Sequence, residues 1–178
     1  TLEVNRTGAV AINTVGTQVT CNSYNWISGG LEVLNGANFT ALDLAQQGLF
    51  GSYRVNAGST MNLYQDNTQC VDLDADVFFD GGGTINVYGG NGDSWWAFSR
   101  NASLTMNGGV LDLNNNGITI NNSSYTLNVN LTGDALIRTV GGISMNRSGF
   151  APGGGTFELY GSLDRTISMG TTNSLPNV

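Results

Sequence analysis

Apolar and polar residues alternate in four similar segments of this chain, and each segment begins with glycine or another turn-forming residue. The segments are residues 58–64, 82–88, 108–114 and 154–160. Alternation over several residues is typical of a β-strand with one buried face. A shorter stretch, residues 31–34, alternates in the same way after a looser start. The residues predicted to point inward are Leu31, Met61, Ile85, Leu111 and Phe157.

The spacing of these inward residues predicts how the strands are arranged. Successive positions lie about 25 residues apart if the last gap holds two steps, with Leu136 near its midpoint. A strand that recurs once per step, without a helical pattern in between, is typical of a parallel β-helix. The sequence therefore predicts an all-β fold, a right-handed parallel β-helix (solenoid) of roughly seven coils of about 25 residues. The whole chain, 1–178, is expected to form this single domain.

Charge and hydropathy limit the partners of the chain. The net charge is −7, and the six basic residues are arginines scattered along the sequence. Nucleic-acid binding requires concentrated positive charge, so no nucleic-acid partner is expected. The sequence also lacks a run of about 20 apolar residues, so no membrane insertion is expected.

The chemically reactive residues do not form a recognisable catalytic set. The chain has no histidine and no lysine, which removes common general bases and the commonest metal ligand. The glycine runs at 81–83 and 153–155 precede predicted strands rather than helices, so they do not predict a phosphate site. The sequence therefore predicts a non-enzymatic protein without a cofactor, Ca²⁺ being the one cofactor considered.

Three aspartates alternate with apolar residues in one short stretch: Asp72, Asp74 and Asp76. In a strand they share one face, where several carboxylate oxygens would suit Ca²⁺. The stretch lacks the spacing of a calcium-binding loop, and a solvated strand face that resists aggregation is the alternative. Such strands are also similar in general appearance to the acidic strands of β-helical polysaccharide lyases. Arg54 or Arg100 beside these aspartates in an open groove would favour that activity.

Aromatic residues are the second group of candidate ligand-binding residues. Tyr64 and Tyr88 occupy the same outward position in adjacent predicted coils, and Tyr160 repeats that position further along. Trp95 and Trp96 lie in a predicted loop or irregular coil. Exposed aromatic rings can stack on sugar rings, so Tyr64, Tyr88, Trp95 and Trp96 are candidate glycan-binding residues. The alternative is structural, with the tyrosines stacked as a ladder and the tryptophans covering a loop.

The two cysteines are Cys21 and Cys70, which are 49 residues apart. This separation is close to two coil steps, which would place equivalent positions about 9.6 Å apart. A disulfide requires a Cα separation of roughly 4.4 to 6.8 Å, so the spacing disfavours a Cys21–Cys70 disulfide. Two buried thiols are expected, and an irregular coil that brings them together is the alternative.

Three segments resemble the repeats of a known group of proteins. Residues 103–109 read SLTMNGG, residues 155–162 read GTFELYGS and residues 165–170 read RTISMG. They are similar to the long repeat arrays of very large surface proteins of Bacteroidota. The resemblance implies export by the type IX secretion system and display at the bacterial cell surface, as adhesins or surface fibres. It implies an architecture and a mode of secretion, and it brings no catalytic residue.

The two ends of the sequence also fit this resemblance. Residues 175–178, LPNV, followed by residues 1–8, TLEVNRTG, read as one continuous phrase of such an array. We therefore expect one unit of a longer tandem array or fibre, with neighbouring copies joined head to tail. The function predicted from the sequence is a non-enzymatic structural and adhesive unit of an extracellular surface fibre or adhesin stalk, with surface glycans as possible ligands. The alternative is a glycan-binding or glycan-cleaving β-helix.

Overall fold

The computed structural model describes residues 1–46, 48–65, 71–89, 93–96, 100–120, 124–145, 152–162 and 164–170, with the backbone alone for 71, 72 and 93–96. All regular secondary structure in these ranges is β-strand, which confirms the all-β prediction. No helix in them has the length and hydropathy of a membrane crossing. The strands are β1 (Leu2–Ile12), β2 (Gln18–Cys21), β3 (Tyr24–Val33), β4 (Asn38–Ala41), β5 (Gly48–Asn56), β6 (Thr60–Gln65), β7 (Val71–Asp80), β8 (Thr84–Gly89), β9 (Asp93–Trp96), β10 (Ala102–Asn107), β11 (Val110–Asp112), β12 (Gly117–Ile120), β13 (Leu127–Thr132), β14 (Leu136–Thr139), β15 (Ile143–Met145), β16 (Thr156–Leu159) and β17 (Ile167–Met169).

The described strands form two parallel sheets. Over the described ranges, sheet A has ten strands, with the main order β1-β3-β5-β7-β9-β12-β15-β17 and a branch from β7 to β10 and β13. Sheet B, counted in the same way, has seven strands in the order β16-β14-β11-β8-β6-β4-β2. Each strand of sheet B pairs with the equivalent strand of the next coil. This arrangement is the β-solenoid that the sequence repeat predicted.

The register of sheet B gives the length of each coil. Val19 pairs with Phe39, and the column continues to Phe157 in steps of 20 to 26 residues, with a mean of 23 over six steps. Within the described residues the solenoid has about six turns, against the roughly seven coils of about 25 residues predicted. The prediction divided the full chain length by the step, whereas sheet B begins at Gln18 and ends at Leu159.

One inward column of sheet B forms a large part of the core. Its members pair in register from coil to coil, and all except the first are at most 4 % exposed. Apolar side chains that repeat at one position of a parallel stack cover one another, which removes their surface from water. The column consists of Val19, Phe39, Met61, Ile85, Leu111, Ile137 and Phe157.

Two predicted positions in this column were wrong. Leu31 is fully buried, but it lies in β3 of sheet A, and Phe39 takes the corresponding place in sheet B. Between Leu111 and Phe157 the column position is taken by Ile137, not by Leu136. Leu136 is less buried than Ile137. Both sheets alternate with the same period of two, so the pattern alone does not tell which sheet a strand joins.

Sheet A divides at β7. Residues 71–73 of β7 pair with residues 94–96 of β9, whereas residues 76–79 pair with residues 103–106 of β10. The first four strands of this sheet are nine to eleven residues long, and the next coil replaces the single strand by the shorter β9 and β10. The fork brings the residues that precede β10 next to the outer face of β7.

Gln65, at the end of β6, is a buried polar residue. It is 4 % exposed, and its amide oxygen and nitrogen have no hydrogen-bond partner among the described residues. A buried polar group without a partner costs about 1 to 3 kcal/mol. We therefore expect Gln65→Met, which keeps the length of the side chain, to raise the free energy of unfolding by about 1 to 2 kcal/mol. Chemical denaturation followed by circular dichroism measures the change.

Asn86 offers a matched control, because its amide has a partner. Its Nδ2 donates a hydrogen bond to Asn62 Oδ1 at 2.9 Å. Asn86→Leu removes this bond and is expected to lower the free energy of unfolding by about 1 kcal/mol. A loss of stability in Gln65→Met as large as that in Asn86→Leu would show that the Gln65 amide is satisfied in solution.

Candidate functional site

A polar groove lies on the outer face of sheet A, beside the fork. Charged residues in its lining include Glu32, Arg54 and Asp76, and its volume is about 230 Å³. Alternation along β5 explains how these side chains reach the surface. Tyr53 points into the core and is 2 % exposed, so its neighbours Ser52 and Arg54 point outward.

Parallel pairing aligns the groove residues in two columns. Neighbouring members of a column lie on successive coils, about 4.8 Å apart. The longer column, with four members, therefore extends over about 14 Å along the solenoid axis. The first column contains Ser52, Asp76 and Ser103, and the second contains Glu32, Arg54, Phe78 and Thr105.

Asp76 and Arg100 form an ion pair in this groove. Asp76 Oδ2 accepts a hydrogen bond from Arg100 Nη2 at 2.9 Å, and Asp76 Oδ1 accepts one from Ser103 Oγ at 2.8 Å. Arg100 also donates to two backbone carbonyls, from Nη1 to Gly51 O at 3.3 Å and from Nε to Asn101 O at 3.0 Å. The side chain of Asp76 is 49 % exposed and that of Arg100 is 37 % exposed. Both are therefore accessible to a ligand, while their hydrogen bonds hold them in position.

Arg54 and Phe78 form the other half of the groove. Arg54 Nη2 donates to Asp80 Oδ2 at 2.5 Å, and this hydrogen bond raises the pKa of the guanidinium group. The Arg54 Cζ atom lies 5.4 Å from the centre of the Phe78 ring, within the range of a cation–π contact. Phe78 is 36 % exposed. The guanidinium group therefore lies over one face of a ring that is partly exposed at the surface.

The three predicted aspartates do not form an open row of carboxylates. Asp76 is exposed and paired with Arg100, but Asp74 is fully buried. The side chain of Asp72 lies outside the described residues. In the part of the chain that the structure describes, no three histidine, cysteine or acidic side chains form a group that could hold a metal ion. The Ca²⁺ site stays a prediction.

The predicted tyrosine pair is present in sheet B. Tyr64 and Tyr88 pair in register, and their rings stack with centroids 4.5 Å apart and an angle of 17° between the planes. The stack covers one face of each ring, as a structural ladder requires. Glycan binding by these two residues stays a prediction.

The tryptophans were predicted to lie in a longer loop or an irregular coil of the solenoid. Trp95 and Trp96 belong to strand β9, which pairs with both β7 and β12, so the loop was wrong. The coil itself is irregular, because sheet A divides there. The segment lacks the alternation that identifies the other strands, so the sequence pattern did not reveal it. Their side chains lie outside the described residues, and their role in glycan binding stays a prediction.

The structure describes one of the two cysteines of the predicted pair. Cys21 is the last residue of β2 and is half-buried, and burial raises the pKa of its thiol. Cys70 lies outside the described residues. The absence of a Cys21–Cys70 disulfide therefore stays a prediction.

A second polar cluster lies on the outer face of sheet B. The Tyr160 hydroxyl donates to Asp112 Oδ1 at 2.8 Å, and Arg138 Cζ lies 4.2 Å from the centre of the Tyr160 ring. Arg138 Nε lies 3.3 Å from Asp112 Oδ2 and 3.5 Å from Glu158 Oε2. Asp112, Arg138 and Glu158 pair in register on three successive coils. These contacts tie neighbouring coils together and stabilise the stack.

This cluster predicts an unusual titration of Tyr160. Burial, and next the hydrogen bond to the Asp112 carboxylate, raise the pKa of Tyr160 from 10 to about 12. The folded state therefore favours the neutral phenol, so its stabilisation is complete below about pH 10 and is lost as the pH rises through about 12. Tyrosinate absorbance in the wild type minus that in Tyr160→Phe should show a midpoint near pH 12. A midpoint near pH 10, unchanged by Asp112→Asn, would contradict the contact.

The sequence showed part of the groove and missed the rest. The alternation around Asp76 placed its side chain outward. Arg100 was one of the two arginines whose position beside these aspartates was named as favouring lyase activity. Glu32 was not identified as a site residue. Phe78 was also missed, although it had a signal, since Phe78 and Phe79 are adjacent in a strand and one of them has to point outward.

The groove thus presents hydroxyl, carboxylate and guanidinium groups in lines along the solenoid, next to one exposed aromatic ring. These groups donate and accept hydrogen bonds, which suits a polar ligand with an apolar face. No protein-family model, curated protein or solved structure matches this chain.

Proposed function

We propose that this chain is a non-enzymatic structural and adhesive unit of an extracellular surface fibre or adhesin stalk on a bacterial cell. The observation that carries the proposal is the unbroken parallel register of sheet B across its seven described strands. Each coil of such a stack contacts its neighbours alone, so the solenoid extends as a rod. The resemblance to surface proteins of Bacteroidota supports the extracellular setting.

Side-chain ladders between coils support the structural part of this function. Asn62 Nδ2 donates to Thr40 Oγ1 at 3.3 Å, and Asn86 Nδ2 donates to Asn62 Oδ1 at 2.9 Å. The stacked rings of Tyr64 and Tyr88 join the same pair of coils as the Asn62–Asn86 bond. These contacts add to the backbone hydrogen bonds that hold one coil to the next. A unit stabilised between coils in this way suits a stalk under tension.

The groove of sheet A provides the adhesive surface in this proposal. Beads coated with the folded chain can be driven by flow over surfaces that carry different polysaccharides. We expect the wild-type beads to be retained on at least one surface, beads with the groove variant Phe78→Ala to be retained less, and uncoated beads to pass freely. Equal retention of wild type and Phe78→Ala would contradict the groove as the adhesive surface, and no retention on any surface would contradict the adhesive function.

Head-to-tail stacking of neighbouring units is part of the same proposal. In the described part of the chain, the eleven-residue β1 pairs with β3 along one edge. Its other edge has backbone donors and acceptors that a strand of a neighbouring unit can complete. Such a contact joins unlike surfaces and extends a rod rather than closing a ring. Electron microscopy of concentrated protein should show rods, and uniform single units at all concentrations would contradict the stacking.

A second candidate function is glycan cleavage, and the Arg100–Asp76 pair in an open groove is the observation that favours it. One feature speaks against it, since both oxygens of the Asp76 carboxylate already accept hydrogen bonds.

A further inference from the structure

We infer that the groove of sheet A binds a neutral, extended oligosaccharide whose chain runs along the solenoid axis. The inference rests on the proposed adhesive function and names its ligand class. It places the ligand on sheet A rather than at the Tyr64–Tyr88 stack of sheet B, and it adds Glu32 and Phe78, which the sequence did not identify, to Asp76.

The charges of the groove favour a neutral ligand. Arg54 and Arg100 each lie within 2.9 Å of an aspartate oxygen, so their charges are already compensated. Glu32 adds a further negative charge to the lining. A polyanion would gain little from the paired arginines and would be repelled by Glu32. Neutral hydroxyl groups can instead donate to the carboxylates and accept from the guanidinium groups.

The exposed ring of Phe78 explains why the polar ligand should be a sugar. A pyranose has an apolar face of C–H groups and a rim of hydroxyl groups. Phe78 is 36 % exposed, and the part of its ring that Arg54 does not cover can contact the apolar face, while Ser103 and Thr105 on the next coil reach the rim. The Arg54 guanidinium group over the ring is hydrogen-bonded to Asp80, so this surface is formed before the ligand arrives.

The direction and length of the ligand follow from the two columns. Polar groups recur about every 4.8 Å along the axis, which is close to the length of one sugar in an extended chain. The column from Glu32 to Thr105 extends over about 14 Å, enough for about three sugars. Affinity should therefore rise with chain length to about three sugars and then change little.

Titration calorimetry with defined oligosaccharides tests the inference. The probes are cellohexaose, xylohexaose and mannohexaose as neutral chains, their trisaccharides, and hexagalacturonate as an acidic chain. We expect at least one neutral hexasaccharide to bind, its trisaccharide to bind with an affinity within about fivefold, and hexagalacturonate to bind about tenfold more weakly or not at all. Phe78→Ala should weaken binding by about tenfold or more. Tyr88→Ala, an aromatic truncation on sheet B, should leave it unchanged, and circular dichroism should show that both variants are folded.

Each other outcome overturns the inference in a different way. Preferential binding of hexagalacturonate would overturn the neutral ligand and leave the adhesive function in place. Loss of binding in Tyr88→Ala but not in Phe78→Ala would move the site to sheet B. No binding of any oligosaccharide, while coated beads are still retained on polysaccharide, would reject the groove and keep the adhesive function. No binding in either assay would reject both.

Discussion

Replacing Ile85 by aspartate is expected to lower the free energy of unfolding by about 3 kcal/mol or more, or to prevent folding. Ile85 is fully buried and lies between Met61 and Leu111 in the inward column of sheet B. A carboxylate at this position would have no cation or hydrogen-bond donor beside it in the column. Chemical denaturation of the purified variant, or its failure to accumulate as soluble protein, measures the effect.

Thr84→Asp is the matched control for this change. Thr84 precedes Ile85 in the same strand and points to the opposite face, where it is half-buried. The same new charge should cost less than about 1 kcal/mol there, because water can solvate it. Equal losses in the two variants would contradict the register of β8, since a slip by one residue exchanges the two faces.

Gly51→Ala is expected to lower the free energy of unfolding by about 3 kcal/mol, through backbone strain and overpacking together. Gly51 has a φ of +87°, a conformation that side chains disfavour. An added Cβ would clash with Trp26 Nε1 and would lie 2.6 Å from Gly29 O. The indole cannot turn away freely, because its Nε1 donates a hydrogen bond to the same carbonyl at 2.9 Å. Thermal or chemical denaturation measures the loss.

The same position is coupled to the groove. Gly51 O accepts the hydrogen bond from Arg100 Nη1, so a shift of this backbone should also loosen the Arg100–Asp76 pair and weaken ligand binding. Gly16→Ala is the control, because Gly16 has a φ of +70° and no atom within 4 Å of an added Cβ. It should cost only the conformational strain, about 1 to 2 kcal/mol. If both variants lose the same stability, the close approach around Gly51 is absent in solution.

The fold could be predicted from the sequence because two independent patterns agree. Alternation identifies strands, and its recurrence at a nearly constant step requires that the strands stack in parallel. Met61, Ile85, Leu111 and Phe157 occupy the predicted inward positions for this reason. Leu31 was assigned to the wrong sheet, because a long alternating strand of sheet A has the same local pattern as a strand of sheet B.

The groove could be predicted only in part, because it forms between coils. Glu32, Arg54 and Phe78 meet through pairings that join residues 22 and 24 positions apart. The step in sheet B varies from 20 to 26 residues, so a single average period does not place such neighbours in register. Arg100 reaches Asp76 because sheet A divides at β7. No alternation or spacing in the sequence indicates that fork.

Incubating the folded chain with soluble polysaccharides tests most directly whether this solenoid acts by adhesion rather than by catalysis. Affinity electrophoresis measures binding, and the size and reducing ends of each recovered polymer measure cleavage in the same sample. We predict that at least one polysaccharide retards the chain and that every polymer keeps its length. Shortened polymers or new unsaturated ends that disappear with Asp76→Ala would contradict the non-enzymatic function and assign catalysis to the groove.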